Sequence, residues 1–380
     1  MTHRLVSNRF VLPLILTVSL SLAGCDLVGS DDDGGPSFRT TGVIVGNGGN
    51  FGDQNGSLTV YDPATGQARE AATFGAFLQA MRLDGDSLYV VTNTFSGGRI
   101  NVFDASTLTR AHQVETPGTP RAIAPVTNDK AYVANTTFGS GEFVARYNRT
   151  TGQLREGTIP VGTLPEDVVI AGDRAYVANY GSSGVGTTLT VIDTDTDQAT
   201  GTIELGCDGP NELFVDAQDE IAVVCQGKTV YNDDFTEIIE QTNGQVVFVD
   251  GRSGAIVDRI ALDQQVGSAN GTQSAYYAPE SEELYVLGGI DAVLRFDTAA
   301  NTAAGTVPIP QNDALVGPSA VAYDGAAQQL YVARIASGPT DGPDFRAAGS
   351  VVVLNRDGSR ATTFTVGPAP SHIVLQQEAR

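Results

Sequence analysis

The chain has 380 residues, of which 41% are hydrophobic and 17% are charged, so most of it should fold around a large core rather than stay disordered. Asp and Glu number 44 against 22 Lys and Arg, and the resulting net charge of −22 argues against a nucleic-acid partner. The only lysines are Lys130 and Lys228. Such a composition is typical of proteins from salt-loving bacteria, and an acidic exported protein from another bacterium is the alternative.

Residues 1–24 predict a secretory signal. Arg4 and Arg9 accompany the apolar stretch 10–24, which is too short for a comfortable transmembrane span and ends in small residues. Leu-Ala-Gly-Cys at 22–25 resembles the lipobox of bacterial lipoproteins. The resemblance implies a lipid on the thiol of Cys25 and cleavage before it, whereas an ordinary signal with a chance cysteine is the alternative.

Residues 25–40 are acidic and rich in glycine, which predicts a flexible tether behind the lipidated cysteine. We therefore expect an exported protein of the cell envelope, anchored to a membrane by lipid and facing the periplasm or the cell surface.

From residue 41 onward the sequence predicts short strands that recur. Ala-Tyr-Val-Ala-Asn occurs at 131–135 and again at 175–179, each time followed by a loop and an apolar alternation. The alternation ends in Asp or Asn at positions 42 to 58 residues apart, namely Asp62, Asp104, Asn148, Asp193, Asp250, Asp297 and Asn355. Insertions at 227–244 and 336–349 account for the two longest spacings. The repeat predicts one structural unit used many times.

Each unit predicts four strands, most clearly at 166–172, 175–180, 188–193 and 199–205. Four antiparallel strands per repeat predict an all-β fold, a β-propeller. The N-terminal unit has strands at 42–47, 57–62 and 67–73 but no first strand, while 369–375 is a C-terminal first strand without partners. Joining the two closes a seven-bladed ring over residues 41–380, which we expect to be monomeric.

The Ala-Tyr-Val-Ala-Asn repeat, followed by Thr-Val-Ile-Asp-Thr at 190–194, resembles the YVTN-type repeats of exported bacterial propellers, which are related to YncE-like and lactonase-like seven-bladed proteins. The chain has no tryptophan, which argues against WD40 repeats. The resemblance covers nearly all of 41–380 and implies the fold, but it says little about activity because the repeated residues are mostly structural.

The start of each first strand is where the repeats agree least. The corresponding side chains are polar but different: Gln79, Arg121, Glu166, Asn211, Ser274, Ser319 and Ser371. Asp167, Glu212 and His372 lie next to them. Because first strands line the channel of a propeller, we predict a ring at the channel mouth that binds a small polar ligand or ion. The alternative is ordinary turn chemistry at a wet surface.

The second strands end in Asn47, Asn93, Asn135, Asn179, Gln226 and Arg334. The asparagines are expected to cap turns or to adopt a left-handed backbone conformation. Arg334 departs from the pattern and could hold a carboxylate or phosphate at the same face.

Two cysteines follow the tether, Cys207 and Cys225, and in an oxidising compartment they could form a structural disulfide or remain free. The loops at 47–56 and 232–237 are rich in side-chain oxygen atoms and could bind calcium, although neither has the residue spacing of a calcium-binding loop. Few histidines and methionines are present, so we expect no transition-metal or haem cofactor.

No recognisable catalytic set is present, and we predict a binding module for a small polar ligand or an envelope protein rather than an enzyme. The alternative is a lactonase-like hydrolase in which Arg121, Glu166 and Asn211 surround a bound cation and His372 assists. Ser371 and His372 are adjacent, and neighbours on a strand point to opposite faces, which argues against this pair acting together.

Overall fold

The computed structural model describes residues 38–379 except 139–140, 270–272, 312–314 and 340–341. The predicted signal, Cys25 and most of the tether lie outside the described residues. The strands are β1 Phe38–Asn47, β2 Ser57–Asp62, β3 Gln67–Thr73, β4 Phe77–Asp84, β5 Ser87–Thr94, β6 Gly97–Asp104, β7 Arg110–Thr116, β8 Thr119–Pro125, β9 Lys130–Thr136, β10 Phe143–Asn148, β11 Gln153–Pro160, β12 Pro165–Ala171, β13 Arg174–Asn179, β14 Thr188–Asp193, β15 Gln198–Glu204, β16 Pro210–Val215, β17 Glu220–Cys225, β18 Thr229–Tyr231, β19 Ile238–Gln241, β20 Gln245–Asp250, β21 Ile256–Ala261, β22 Ala275–Ala278, β23 Glu283–Gly288, β24 Ala292–Asp297, β25 Thr302–Pro308, β26 Leu315–Asp324, β27 Gln329–Ser337, β28 Pro343–Asp344, β29 Ala348–Asn355, β30 Arg360–Pro368 and β31 Pro370–Ala379. Among the described residues one 3₁₀ turn is present, Ser182–Gly184, which precedes β14.

These strands form the seven antiparallel blades of a β-propeller, which confirms the predicted fold. Blade 1 has the order β3-β2-β1-β31, so the C-terminal strand completes the N-terminal blade. The register runs from Phe38 opposite Ala379 to Asn47 opposite Pro370. Blades 2, 3 and 4 are β4–β7, β8–β11 and β12–β15; blade 5 is β16, β17, β20 and β21; blade 6 is β22–β25; blade 7 is β26, β27, β29 and β30.

The hydrophobic core lies between neighbouring blades. In β13, Ala175 and Val177 pack towards blade 3, whereas Tyr176 and Ala178 pack towards blade 5. Side chains alternate between the two faces of a strand, so an uninterrupted apolar run is what a strand buried on both faces requires. The repeated sequence Ala-Tyr-Val-Ala therefore fills two blade interfaces at once.

The Asp or Asn that ends each third strand organises the turn behind it. The backbone N–H of Thr107 donates to Asp104 Oδ1 at 2.8 Å, and the Ser106 hydroxyl donates to the same atom at 2.7 Å. These hydrogen bonds lower the pKa of Asp104 to about 2. Asp193 and Asp250 receive equivalent backbone bonds from Thr196 and Ser253. In these three blades the repeated residue forms an Asx turn, which is a structural role.

Both predicted insertions lie between a second and a third strand. The first forms the hairpin β18–β19 in blade 5, and the second contributes β28, which pairs with β27. Cys207 and Cys225 are joined by a disulfide, with Cα atoms 6.2 Å apart, between the segment entering blade 5 and the end of its second strand. In the part of the chain from 38 to 379 that is described, no helix is long and apolar enough to cross a membrane.

Candidate functional site

Six of the seven variable positions share one backbone feature. In six first strands the pairing register skips one residue, and the skipped residues are Gln79, Arg121, Glu166, Asn211, Ser319 and Ser371. Ser274 stands at the equivalent place, directly before β22. A β-bulge leaves one residue unpaired and turns its side chain away from the normal alternation. The bulge frees these side chains from the alternation that packs the rest of the strand, so they can vary.

Four of the bulged residues border a cavity of about 130 Å³ at the end of the channel where the first strands begin. Five of the predicted residues line it: Gln79, Arg121, Glu166, Asn211 and His372. Asp167 and Glu212 also line it, each one residue beyond a bulge. Sequence reasoning missed Arg82 and Gln273. An arginine between Met81 and Leu83 in strand β4 was the signal that could have identified the first.

Two ion pairs cross between blades inside this cavity. Arg121 Nε donates to Glu166 Oε2 at 2.8 Å, and Arg82 Nη2 lies 3.7 Å from Asp167 Oδ1. The side chains of Glu166 and Asp167 are only 11% and 15% exposed. Burial raises the pKa of each carboxyl, and the neighbouring arginine opposes that rise. The cavity therefore has two cations, each matched by an acidic partner.

Asp167 and Glu212 also connect neighbouring first strands. Asp167 Oδ2 accepts the backbone N–H of Leu213 at 2.9 Å, and Glu212 Oε2 accepts that of Ala275 at 3.1 Å. Glu212 Oε1 accepts the backbone N–H of Ser274 at 2.5 Å and its hydroxyl as well. Burial nevertheless raises the pKa of Glu212 to about 8, against its ordinary 4.5. Glu212 is therefore largely uncharged near neutral pH.

The structure brings Ser371 and His372 together, contrary to the argument from strand alternation. His372 Nδ1 lies 3.1 Å from Ser371 Oγ, which also donates to the carbonyl of Gly46 at 3.2 Å. The alternation fails because Ser371 is the bulged residue of β31. Burial lowers the pKa of His372 to about 3, so its ring is neutral near pH 7.

Three buried polar side chains keep hydrogen-bonding capacity directed at the cavity. Asn211 is 6% exposed and makes no side-chain hydrogen bond to any described residue. Gln79 is 7% exposed; its Oε1 accepts from Asn93 Nδ2 at 3.2 Å, while its Nε2 has no partner within the described ranges. The same holds for His372 Nε2. The polar atoms of these groups reach the cavity, where a ligand or solvent can form hydrogen bonds with them.

Four of the predicted residues do not line the cavity. Ser274, Ser319 and Ser371 are fully buried. Arg334 is 3% exposed, and its guanidinium donates to the carbonyls of Pro310 and Val316 at 2.8 and 3.2 Å. Arg334 is thus occupied by backbone acceptors and is not displayed at the face, contrary to expectation. The seven positions are therefore not a complete ring of ligand-facing side chains.

The asparagines that end the second strands were also misinterpreted. Asn47, Asn93, Asn135 and Asn179 are buried and have extended backbones rather than positive φ. Asn179 Nδ2 donates to the hydroxyls of Thr188 and Thr190, both at 3.0 Å. Asn179 thus ties the second strand to the third, and its Oδ1 accepts the backbone N–H of Gly162 at 3.0 Å, whereas Asn135 Nδ2 donates to Val133 of its own strand. Among the described residues, no group of three or more His, Cys, Asp and Glu is arranged to hold a metal ion.

The family of outer membrane protein assembly factor BamB matches residues 32–231. The chain belongs to this family. The family is one of propeller repeat proteins, in agreement with the seven blades. The finer assignment to YVTN-type, YncE-like repeats stays a prediction. No curated protein sequence matches the chain.

Solved structures similar to this BamB-family chain share its fold. A hypothetical selenium-binding protein from Sulfolobus tokodaii has a TM-score of 0.62 at 12% identity, covering 90% of this chain and 94% of its own. Hydrazine synthase from Kuenenia stuttgartiensis has a TM-score of 0.52 at 20% identity, covering 72% and 74%. The computationally designed protein Ika8 has a TM-score of 0.52 at 10% identity, covering 90% and 91%.

Proposed function

We propose that this protein is an exported binding module of the cell envelope, anchored to a membrane through Cys25, whose channel-mouth cavity takes a small, polar, uncharged ligand. Membership of the BamB family supports a role in binding at the envelope. Fold alone does not identify a function, so the ligand is argued from the cavity itself.

The observation that carries the proposal is the open hydrogen-bonding capacity of the cavity wall. Asn211 offers a donor and an acceptor, Gln79 Nε2 offers a donor, and neutral His372 offers one ring nitrogen. A ligand with several hydroxyl or amide groups would satisfy all three at once. A purely apolar ligand would bury them without partners, which costs free energy.

The charge balance supports an uncharged ligand. Arg82 and Arg121 each face a carboxylate, while burial keeps Glu212 and His372 largely neutral near pH 7. An anionic ligand would have to compete with Glu166 and Asp167 for the arginines. A cationic ligand would compete with the arginines for the carboxylates.

The test is a thermal-shift screen with uncharged monosaccharides and sugar alcohols, set against their acidic and amino analogues. A ligand that binds specifically to the folded state raises Tm as its concentration increases. At a ligand concentration of 100 times Kd, the free energy of unfolding increases by about 2.7 kcal/mol. Asn211→Ala should weaken binding at least tenfold, whereas Gln67→Ala, an amide loss on an exposed outer strand, should not. Equal shifts in both variants, or preference for the charged analogues, would refute the proposal.

A lactonase-like hydrolase is the second candidate, and Glu212 is the observation in its favour. An acid whose pKa is near the working pH can donate a proton to a leaving group. The variant Glu212→Gln decides between the two functions. Turnover of simple lactones that is lost in Glu212→Gln, while sugar-dependent shifts are absent, would favour the hydrolase.

A further inference from the structure

Exposed apolar side chains are concentrated on one face of the ring. Among the described residues, nine of the eleven large exposed hydrophobic side chains lie in segments between a second and a third strand. They are Phe51, Phe95, Phe138, Val185, Tyr231, Phe235, Ile238, Ile239 and Ile290, and together we call them the loop face. The other two, Phe38 and Val257, lie in strands β1 and β21.

The loop face surrounds the mouth of the cavity. In an up-and-down blade, the loop from the second to the third strand opens on the same side as the start of the first strand. Six of the seven blades contribute an exposed apolar side chain there. Single exposed apolar residues need no explanation, but their accumulation around one face marks an interaction surface.

Two parts of the loop face are dense enough to act as anchors. Phe51 lies edge-on to Phe95, with ring centroids 5.1 Å apart, and contacts Phe77 at 6.1 Å. On the β18–β19 hairpin, the rings of Tyr231 and Phe235 are 6.3 Å apart. Phe95 is 72% exposed and Phe235 is 81% exposed. Large aromatic side chains are the groups that most often dominate binding energy at protein interfaces.

The unpaired charges beside the hairpin anchor are acidic. Asp233, Asp234 and Glu237 flank Phe235, are exposed, and form no ion pair with any described residue. The two basic residues of these loops are already neutralised, because Lys228 pairs with Glu240 at 2.7 Å and Arg346 pairs with Asp53 at 2.6 Å. A complementary partner must therefore be basic as well as apolar.

We propose that the loop face docks a protein partner whose contact segment combines apolar and basic side chains. The inference deepens the proposed function, since it gives the chemistry of the protein partner at the face where the small ligand enters. A lipid surface is the less favourable occupant, because anionic headgroups would be repelled by Asp233, Asp234 and Glu237 and by the net charge of −22. A second copy of this chain would meet the same repulsion.

The test uses the full chain carrying Cys25→Ser, so that no lipid is attached, and a fluorescent peptide that alternates leucine and lysine. Fluorescence anisotropy should show saturable binding of this peptide. A leucine–glutamate peptide should not bind, and a serine–lysine peptide should bind at least tenfold more weakly. The double variant Phe95→Ser/Phe235→Ser should lose at least tenfold in affinity, whereas Val257→Ser should not.

Three results would overturn the docking proposal. The first is equal affinity of the double variant and the parent protein for the leucine–lysine peptide. The second is binding to phosphatidylcholine–phosphatidylglycerol vesicles, lost in the double variant, without peptide binding. The third is a parent protein that self-associates while the double variant is monomeric. Asn211→Ala separates the two proposals, since it should weaken sugar binding but leave peptide binding unchanged.

Discussion

Glu212 shows how one residue can serve both the site and the ring. Its carboxyl lines the cavity and accepts backbone N–H groups at the start of blade 6, so it contributes to the contact between two first strands. Burial raises the pKa of Glu212 to about 8, against its ordinary 4.5. Between these two pH values the folded protein keeps a proton on Glu212 that the unfolded chain has lost. The chemistry of this residue therefore appears in the pH dependence of stability.

The first prediction is that stability falls as the pH rises from about 6.5 to about 8.5. A buried acid with a raised pKa stabilises the folded state fully below its ordinary pKa of 4.5, and this contribution is lost as the pH passes its folded pKa of about 8. His372 contributes little in this window and with the opposite sign, because its folded pKa of about 3 lies below the window and its ordinary 6.5 lies at the lower edge. Glu212→Gln should flatten the decline by on the order of 1 to 3 kcal/mol.

Thermal unfolding of the parent protein and of Glu212→Gln across this pH range measures the effect. Glu70→Gln is the matched control, because Glu70 is an exposed carboxylate on the outer strand β3. A parent protein that becomes more stable towards pH 8.5, or a Glu212→Gln variant with the parent's pH profile, would contradict the prediction.

At the scale of strands, the repeated tyrosine in the second strand connects neighbouring blades. Tyr132 of blade 3 donates its hydroxyl to Asp197 in the turn behind β14 of blade 4. Tyr176 of blade 4 donates to the carbonyl of Gly251 in blade 5 at 2.9 Å, and the Tyr89 hydroxyl of blade 2 accepts from Arg149 in blade 3 at 2.7 Å. The tyrosine of the repeat is therefore a link between blades as well as a core residue.

The second prediction compares two of these links. Tyr132→Phe should reduce the free energy of unfolding by about 1.5 to 3 kcal/mol, because a hydrogen bond to a charged group is lost. Tyr176→Phe should cost only about 0.5 to 1.5 kcal/mol, since its acceptor is a neutral carbonyl. The two tyrosines are equivalent in the repeat and both are fully buried, so packing is matched. Urea unfolding gives the comparison, and a larger loss in Tyr176→Phe would show that the acceptor charge is not what matters.

The strands could be predicted from sequence because their signals are local. The side chain of Asp193 hydrogen-bonds three residues ahead, so the end of a third strand is visible in a short window. The channel could be predicted only in part. Comparison of the repeats identified Glu166 as a site position. It did not reveal the β-bulge that directs the Glu166 side chain into the cavity. It also did not reveal the ion pair between Arg82 and Asp167, which lies two blades away. Such contacts depend on the diameter of the ring, which no single repeat encodes.

At the scale of the whole molecule, the ring is held closed without a covalent bond. Strand β31 belongs to the last part of the chain but pairs with β1, and Ile373 and Leu375 pack in the core between blades 7 and 1. Its backbone is also fixed from blade 6, where Gln273 Oε1 accepts the N–H of Ile373 at 2.8 Å. One strand thus completes a blade, two blade interfaces and part of the cavity wall, because His372 lies on it.

The third prediction is that a chain ending at Pro368 cannot keep a closed ring. Truncating a single buried aliphatic side chain such as Ile373 costs about 2 to 5 kcal/mol, and the loss of the whole strand exceeds the 5 to 15 kcal/mol that typically stabilises a protein. It would also leave β1 as an open edge, which promotes aggregation.

Near-ultraviolet circular dichroism and size-exclusion chromatography of the truncated chain should show lost tertiary packing and higher-order species. A synthetic peptide of residues 369–380 added during refolding should restore the packed state without higher-order species, because closure needs only the pairing of β31 with β1, whereas a scrambled peptide should not. A truncated chain with the Tm of the full protein would mean that the other six blades hold the ring without this strand.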